Sequence, residues 1–228
     1  MFEIKKDPSS IMILGSGSGW EHAPKNTEKT VYALNDYAYQ DKYGIQPDAL
    51  FIMDVLDEKP MVVAGISNLG DLISRINMMR VPLIAPYKYE EIPLSQAFPI
   101  DECVKRFGMP YFSNTIAFMI AYALLQNPKE IELFGVNQAS SSEYFYEKAG
   151  VEYWLGVAVG MGVKTTLNGV KSELLTNKAR FGGDIMYGYL QSYEQVKTAR
   201  EKFGEPIVKK LLAPQPQKSR TINNRKIN

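Results

Sequence analysis

The sequence predicts an α/β protein, a three-layer sandwich around a mostly parallel central sheet of about six strands. Two observations carry that prediction. Short apolar runs alternate with stretches of helical character, as successive β–α units require. The first three runs also end in small or acidic residues, at Gly15, at Asn35-Asp36 and at Asp54. In an open parallel sheet the ligand crevice lies outside the carboxyl ends of the strands, so these positions are expected to share one edge.

The first run is Ile11-Met12-Ile13-Leu14, apolar on both faces as a buried parallel strand must be. Gly15-Ser16-Gly17-Ser18-Gly19 follows without a bulky side chain, and residues 20–27 are polar and contain Pro24, which limits any helix there to a short one. Thr30-Val31-Tyr32-Ala33-Leu34 reads as a second strand, and 37–43 as two helical turns closed by Gly44. Ala49-Leu50-Phe51-Ile52-Met53 is the third strand. Residues 61–66 are apolar, and Ser67-Asn68-Leu69-Gly70-Asp71 supplies a cap for a helix bearing Leu72, Ile73, Ile76 and Met79. Val81-Pro82-Leu83-Ile84-Ala85 is a fourth strand, with its proline near the start.

Residues 86–110 hold four prolines without a clear period and read as an irregular, lid-like excursion with a short helix over 101–107. The pattern then sharpens. Ser113-Asn114-Thr115 caps a helix that is apolar on every side over 116–125, which places it in the core. Glu130-Ile131-Glu132-Leu133-Phe134 is a fifth strand, 151–160 a further helix and 163–167 a sixth strand. Gly156, Gly160 and Gly162 are expected to allow close packing. These elements form one domain over 1–192. A helix over 193–203 and a basic stretch with Lys218, Arg220, Arg225 and Lys226 complete the chain as a segment 193–228. That tail is either a solvated terminus or a docking arm for an acidic partner or a sister subunit in a homo-oligomer.

Composition narrows the function. A chain of 228 residues with 45% hydrophobic content is long enough for one sizeable core. A net charge of +1 argues against a protein that coats nucleic acid or an anionic membrane. The single cysteine, Cys103, allows no internal disulfide or cysteine cluster, which suits a reducing cytosol and a cytoplasmic location. The first ten residues are charged and lack the apolar core of a signal peptide, and the longest apolar run, 116–125, is about half the ~20 residues of a membrane span.

Several residues could carry chemistry. The strand–glycine loop–helix order around Gly15, Ser16, Gly17 and Ser18 builds an anion cradle from successive amides. Its bland alternative is a flexible turn. On the cradle reading, Gly17→Val blocks phosphate approach and leaves the fold intact. Asp54 and Asp57 could hold Mg²⁺ for diphosphoryl transfer, or simply cap a helix. His22, just past the glycine loop, is a potential base or an exposed bystander. Asp36 lies about 20 residues after the loop, where a dinucleotide fold places its ribose-binding acid. The G-x-G-x-G spacing, with Trp20 next, misplaces the third glycine of that motif.

Gly15-Ser16-Gly17-Ser18, Tyr32-Ala33-Leu34-Asn35-Asp36, Lys42-Tyr43-Gly44-Ile45-Gln46-Pro47-Asp48 and the later Glu130-Ile131-Glu132-Leu133-Phe134-Gly135-Val136-Asn137 carry a resemblance. In order and spacing they are similar to the superfamily of bacterial α-2,3/2,8-sialyltransferases, motility-accessory-factor proteins and archaeal 6-hydroxymethylpterin diphosphokinases. The resemblance spans about 11–175 and is weak over the excursion. It implies a Rossmann-like fold that binds a nucleotide or nucleotide-sugar donor, of the CMP, UDP or ATP type, at the carboxyl edge.

The resemblance also implies roles. Gly15 to Ser18 would face the donor phosphates and Asn35 the nucleotide or donor group. Ser113, Asn114 and Thr115 match a loop that faces the nucleotide, and Tyr144 and Tyr146 fall near tyrosines that bind the leaving phosphate. Asn137 stands where many relatives carry Asp. The sialyltransferases use a downstream His as base, and this chain has no histidine after His22.

Three readings follow. One is a transferase for glycosyl or diphosphoryl groups, with Asp54, Tyr144 and His22 as its chemical residues and an unspecified acceptor. The second is a non-catalytic nucleotide-binding, regulatory or assembly protein. The third is an NAD(P)-dependent oxidoreductase.

Overall fold

A computed structural model describes Lys6, residues 8–39, 44–56, 68–138 and 147–168, and Leu174. The strands are β1 (Ser10–Leu14), β2 (Thr30–Leu34), β3 (Ala49–Phe51), β4 (Leu83–Ala85), β5 (Ser95–Ala97), β6 (Glu130–Phe134) and β7 (Lys164–Asn168). The helices are α1 (Leu69–Met79), α2 (Ile100–Phe107), α3 (Thr115–Leu125) and α4 (Lys148–Gly160), with 3₁₀ turns at Trp20–His22 and Asn35–Tyr39. All lie within the unit Met1–Leu175.

One sheet runs β5-β4-β3-β2-β1-β6-β7, and every neighbouring pair is parallel. From β1 the chain builds outward to β5, then returns across the sheet to place β6 on the other side of β1. The reversal makes the β1–β6 seam a topological switch point, the position at which open parallel sheets generally place a ligand.

Two cores hold the sheet. Ile11, Ile13, Tyr32, Phe51, Ile131 and Leu133 face α3 and α4, while Met12, Leu14, Val31, Leu50, Leu83 and Phe134 face α1. α3 buries nine of its eleven residues, so its all-round apolar sequence is explained by a central position. Each large side chain buried there contributes on the order of 1.5–3 kcal/mol. α1 buries only Leu72 and Ile76, one turn apart, because it lies on the surface; its start is fixed by Asn68 Oδ1, which accepts from the Asp71 amide at 3.2 Å. Toward the start of β6 the face that ends in Phe134 carries Glu130 and Glu132. Lys29 Nζ lies 3.0 Å from Glu130 and 2.7 Å from Glu132, and Lys164 Nζ lies 2.6 Å from Glu130. The bonds from Lys164 and Lys29 hold the Glu130 carboxyl down at about 2.

The expected sheet of about six strands has seven. The added strand, β5, lies inside the excursion 86–110. β5 pairs with β4 from Leu83↔Ser95 to Ala85↔Ala97. Its Ser-Gln-Ala sequence carries no strand signal because its side chains serve polar contacts. Ser95 Oγ accepts from the Tyr89 amide and donates to the Tyr89 carbonyl, at 2.8 and 2.9 Å, and Gln96 Nε2 donates to the Tyr122 hydroxyl at 2.9 Å. The turns expected over 37–43 are a 3₁₀ turn over Asn35–Tyr39; residues 40–43 lie outside the described set, as do 61–66 and the tail 193–228. Among the described residues no helix is long and apolar enough to cross a membrane.

The glycines of the last helix also need correction. A Cβ on Gly156 or Gly160 meets nothing within 4 Å, and Gly162 answers to a left-handed backbone (φ +77°) rather than to packing. The close contact is at Gly150, where a Cβ would overlap Ser113. Gly156→Ala should therefore raise stability by about 0.5–1 kcal/mol, by restricting the unfolded chain. Gly150→Ala should lower it by ~1–3 kcal/mol through overpacking. Urea denaturation midpoints with unchanged slopes check both signs.

Candidate functional site

Three loops meet at the carboxyl end of the β1–β6 seam. The one after β1 is locked to the one after β6: the Gly15 amide donates to Phe134 O at 2.7 Å and the Gly17 amide to Gly135 O at 2.8 Å. A Cβ on Gly17 would sit 2.8 Å from Asn137 Nδ2 and from Gly135 O, and one on Gly15 would overlap Gly135 O. Gly135 itself is left-handed (φ +67°), and its own Cβ position lies 2.7 Å from the carbonyls of Gly15 and Gly17. These glycines are required by mutual fit between two backbones. The Gly19 amide donates to Glu21 Oε2 at 2.9 Å. Ser16 and Ser18, which alternate with these glycines, are both exposed. The Ser18 hydroxyl accepts from Asn137 Nδ2 at 2.8 Å, while Asn137 Oδ1 is buried without a partner among the described residues.

β2 delivers Asn35 beside this loop, since Leu14 pairs with Ala33. Asn35 has a left-handed backbone (φ +42°), uncommon outside glycine and tolerated by Asn. Its Oδ1 accepts from the Thr115 hydroxyl at 3.5 Å, which ties the β2 end to the first residue of α3. Asp36 continues the 3₁₀ turn, and its side chain is outside the described set.

The start of α3 is over-determined. Asn114 caps it through Oδ1, which accepts from the Ala117 amide at 3.0 Å, and Nδ2 of the same side chain donates to Glu147 Oε2 at 3.1 Å. Ser113 Oγ donates to the Glu147 carbonyl at 2.5 Å. Just upstream, Phe112 stacks between Phe118 and Trp154, at 4.1 and 5.1 Å, and Trp154 Nε1 donates to Tyr111 O at 2.7 Å. α3 and α4 pack side by side and both follow the sheet back from its carboxyl edge, so two helix N-termini open there. Each carries roughly half a positive charge, which favours an anion.

The 3₁₀ turn that ends at His22 packs against the β6 loop, with Trp20 Cβ 3.0 Å from the position a Cβ on Gly135 would take. His22 is exposed at the end of its 3₁₀ turn, and Asp54 is exposed past the end of β3, two strands from β1. Asp57, Tyr144 and Tyr146 lie outside the described residues. Among the described residues no group of three or more His, Cys, Asp or Glu gathers as a metal site, and Asp57, the expected co-ligand of Asp54, lies outside them. Cys103 is buried in α2, and burial pushes its thiol up to about 12, which leaves it inert. A cavity of about 260 Å³, lined by Ile76, Asn77, Val81 and Glu91 among others, opens at the amino ends of β4 and β5, away from these loops. Two residues were missed from sequence. Gly135 carries a signal only as the residue after an apolar strand, and Glu147 carries none.

No protein-family model matches the chain, and no curated protein matches it in sequence. Among solved structures the fold is similar to the sialyltransferase CstII from Campylobacter jejuni in complex with the substrate analogue CMP-3FNeuAc, with a TM-score of 0.50, 16% identity, and 72% of this chain and 81% of that chain covered. A variant of the sialyltransferase CST-II in complex with CMP gives 0.49, 16% identity, and 72% and 83%. A third CstII structure, with cytidine-5'-monophosphate, gives 0.46, 16%, and 73% and 82%. The first of these likenesses establishes the Rossmann-like fold that the sequence resemblance implied.

Because Gly17 faces Asn137 and Gly135, Gly17→Val should not leave the fold intact. We expect a loss of about 1–3 kcal/mol in the absence of any ligand, from displacement of the β6 loop. Guanidinium unfolding of the variant measures it.

Proposed function

We propose that this chain is a transferase that uses a nucleotide-sugar donor, holding the donor's phosphates at the β1–β6 seam and passing the sugar to an acceptor hydroxyl. The observation that best supports this reading is the gathering at one sheet edge of the glycine loop, locked to the β6 loop, and of Asn35, tied to the opening turn of α3 by the Thr115 hydroxyl. Backbone donors and two helix N-termini suit a phosphate without a dedicated cation. Asn35, half-buried at the end of β2, adds a polar group that can select a donor's hydroxyl or amine. The CstII complex named above holds a CMP-sugar analogue, which supports a CMP-type donor here. On the sequence resemblance, Tyr144 and Tyr146 are assigned to the leaving phosphate.

A second reading, a nucleotide-binding protein without turnover, is favoured by one observation: His22, the chain's one histidine, is exposed at the end of its 3₁₀ turn, with no side-chain hydrogen-bond partner among the described residues to orient it as a base. A hydroxyl acceptor has to lose a proton during transfer, and an efficient base is a side chain held in place to take it.

Thermal melting with CMP, UDP, ATP plus Mg²⁺, and NAD separates the possibilities. CMP at ~100 times its Kd should stabilise the fold by about 2.7 kcal/mol, roughly 5–10 °C for a chain of this size. A shift with ATP only in the presence of Mg²⁺ would point to diphosphoryl transfer, and a shift with NAD alone would reject the proposal.

A further inference from the structure

We propose that Thr115 is a positioning residue: its hydroxyl sets the orientation of the Asn35 carboxamide, so that Asn35 meets the ligand with its N–H pair and selects an oxygen that accepts. The inference rests on the nucleotide-binding reading above and deepens it, by narrowing the partner of Asn35 from a hydroxyl or amine to an acceptor oxygen.

An asparagine side chain has two unlike ends of nearly equal size. The oxygen accepts and the NH₂ donates, so packing alone does not choose which end faces a ligand. Hydrogen bonding does. Asn35 Oδ1 accepts from the Thr115 hydroxyl at 3.5 Å, at the first residue of α3. The start of a helix carries partial positive charge, which favours an oxygen over an NH₂ turned toward it. Both effects leave Nδ2 as the outward end. That atom bonds to none of the described residues, and it is not among their buried polar atoms without partners, which are the Tyr32 hydroxyl, Asn137 Oδ1 and Gln138 Oε1. Nδ2 is therefore open to solvent at the carboxyl end of β2, beside the glycine loop, since Leu14 pairs with Ala33.

The neighbours of Thr115 are committed elsewhere. Ser113 Oγ donates to the Glu147 carbonyl, and Asn114 serves the Ala117 amide and the Glu147 carboxylate. Of the three cap residues, Thr115 is the one that reaches across to β2. An N–H pair held outward between the glycine loop and the start of α3 suits an oxygen that carries negative charge.

The test uses the full chain, with CMP and cytidine as probes in calorimetric titrations. It compares wild type with Asn35→Asp, Thr115→Val, Thr115→Ser and the Asn35→Asp/Thr115→Val double variant. Asp keeps an oxygen for Thr115, tolerates the left-handed backbone and replaces the N–H pair by a second oxygen. We expect Asn35→Asp to bind CMP about 10–100-fold more weakly. Thr115→Val frees the carboxamide to turn and should weaken binding by about 2–10-fold, in proportion to the fraction left facing correctly. Thr115→Ser should restore it to within about twofold. With Asp at 35 both ends are alike, so adding Thr115→Val should change affinity no further. Losses confined to CMP place the accepting oxygen on the phosphate, and equal losses with cytidine place it on the nucleoside; either supports the proposal. Undiminished CMP binding by Asn35→Asp overturns the N–H assignment. Undiminished binding by Thr115→Val, or additive losses in the double variant, overturn the positioning role. If a variant with Asp at 35 fails to fold, the side-chain amide resonances of Asn35 decide. A shift on CMP addition that Thr115→Val reduces and Thr115→Ser keeps supports the proposal, and resonances that CMP leaves in place overturn it. Wild type that binds neither probe overturns the functional reading itself.

Discussion

The arrangement depends on a fit between two backbones with no side chains between them. The loop after β1 and the loop after β6 approach so closely that a Cβ on Gly15, Gly17 or Gly135 has no place to go. The hydrogen bonds from the Gly15 and Gly17 amides to Phe134 and Gly135 then lock the pair. This lock sits where the sheet reverses direction, the one position at which two parallel connections diverge and leave a crevice. Glycine here fixes the two loops against each other, and the intervening Ser16 and Ser18 are left exposed.

The rest of the edge is built to the same end by different means. α3 could not lie in the core with an unsatisfied start, because its first amides would be buried without partners. Asn114 answers that need and, with its second amide atom, reaches Glu147. The stack of Phe112 between Phe118 and Trp154 holds the approach to the cap. Polar groups near the crevice are thereby supported by apolar packing a few residues away, which is what keeps a site in register when a ligand arrives.

The sheet was largely legible because strands such as β1 and β2 are buried on both faces and read as unbroken apolar runs. Helix α3 was legible for the same reason, and its Asn114 cap from residue type alone. β5 was not, since its serine and glutamine make contacts that only the folded chain provides. The glycine loop was placed correctly at a strand end. What its glycines touch lies about 120 residues further along the chain, a distance no local pattern crosses. Glu147 shows why sites are harder to read than folds: nothing in its neighbourhood distinguishes it from an ordinary surface glutamate until Asn114 and Ser113 are brought to it.

The central claim is that the crevice between the β1 and β6 loops is where a nucleotide binds. Backbone amide chemical shifts of isotope-labelled protein titrated with CMP test it most directly. The account predicts the largest changes at Ser16, Ser18, Asn35, Thr115 and Asn137. Changes confined to Ile76, Asn77 and Glu91, around the cavity at the opposite edge, would contradict it.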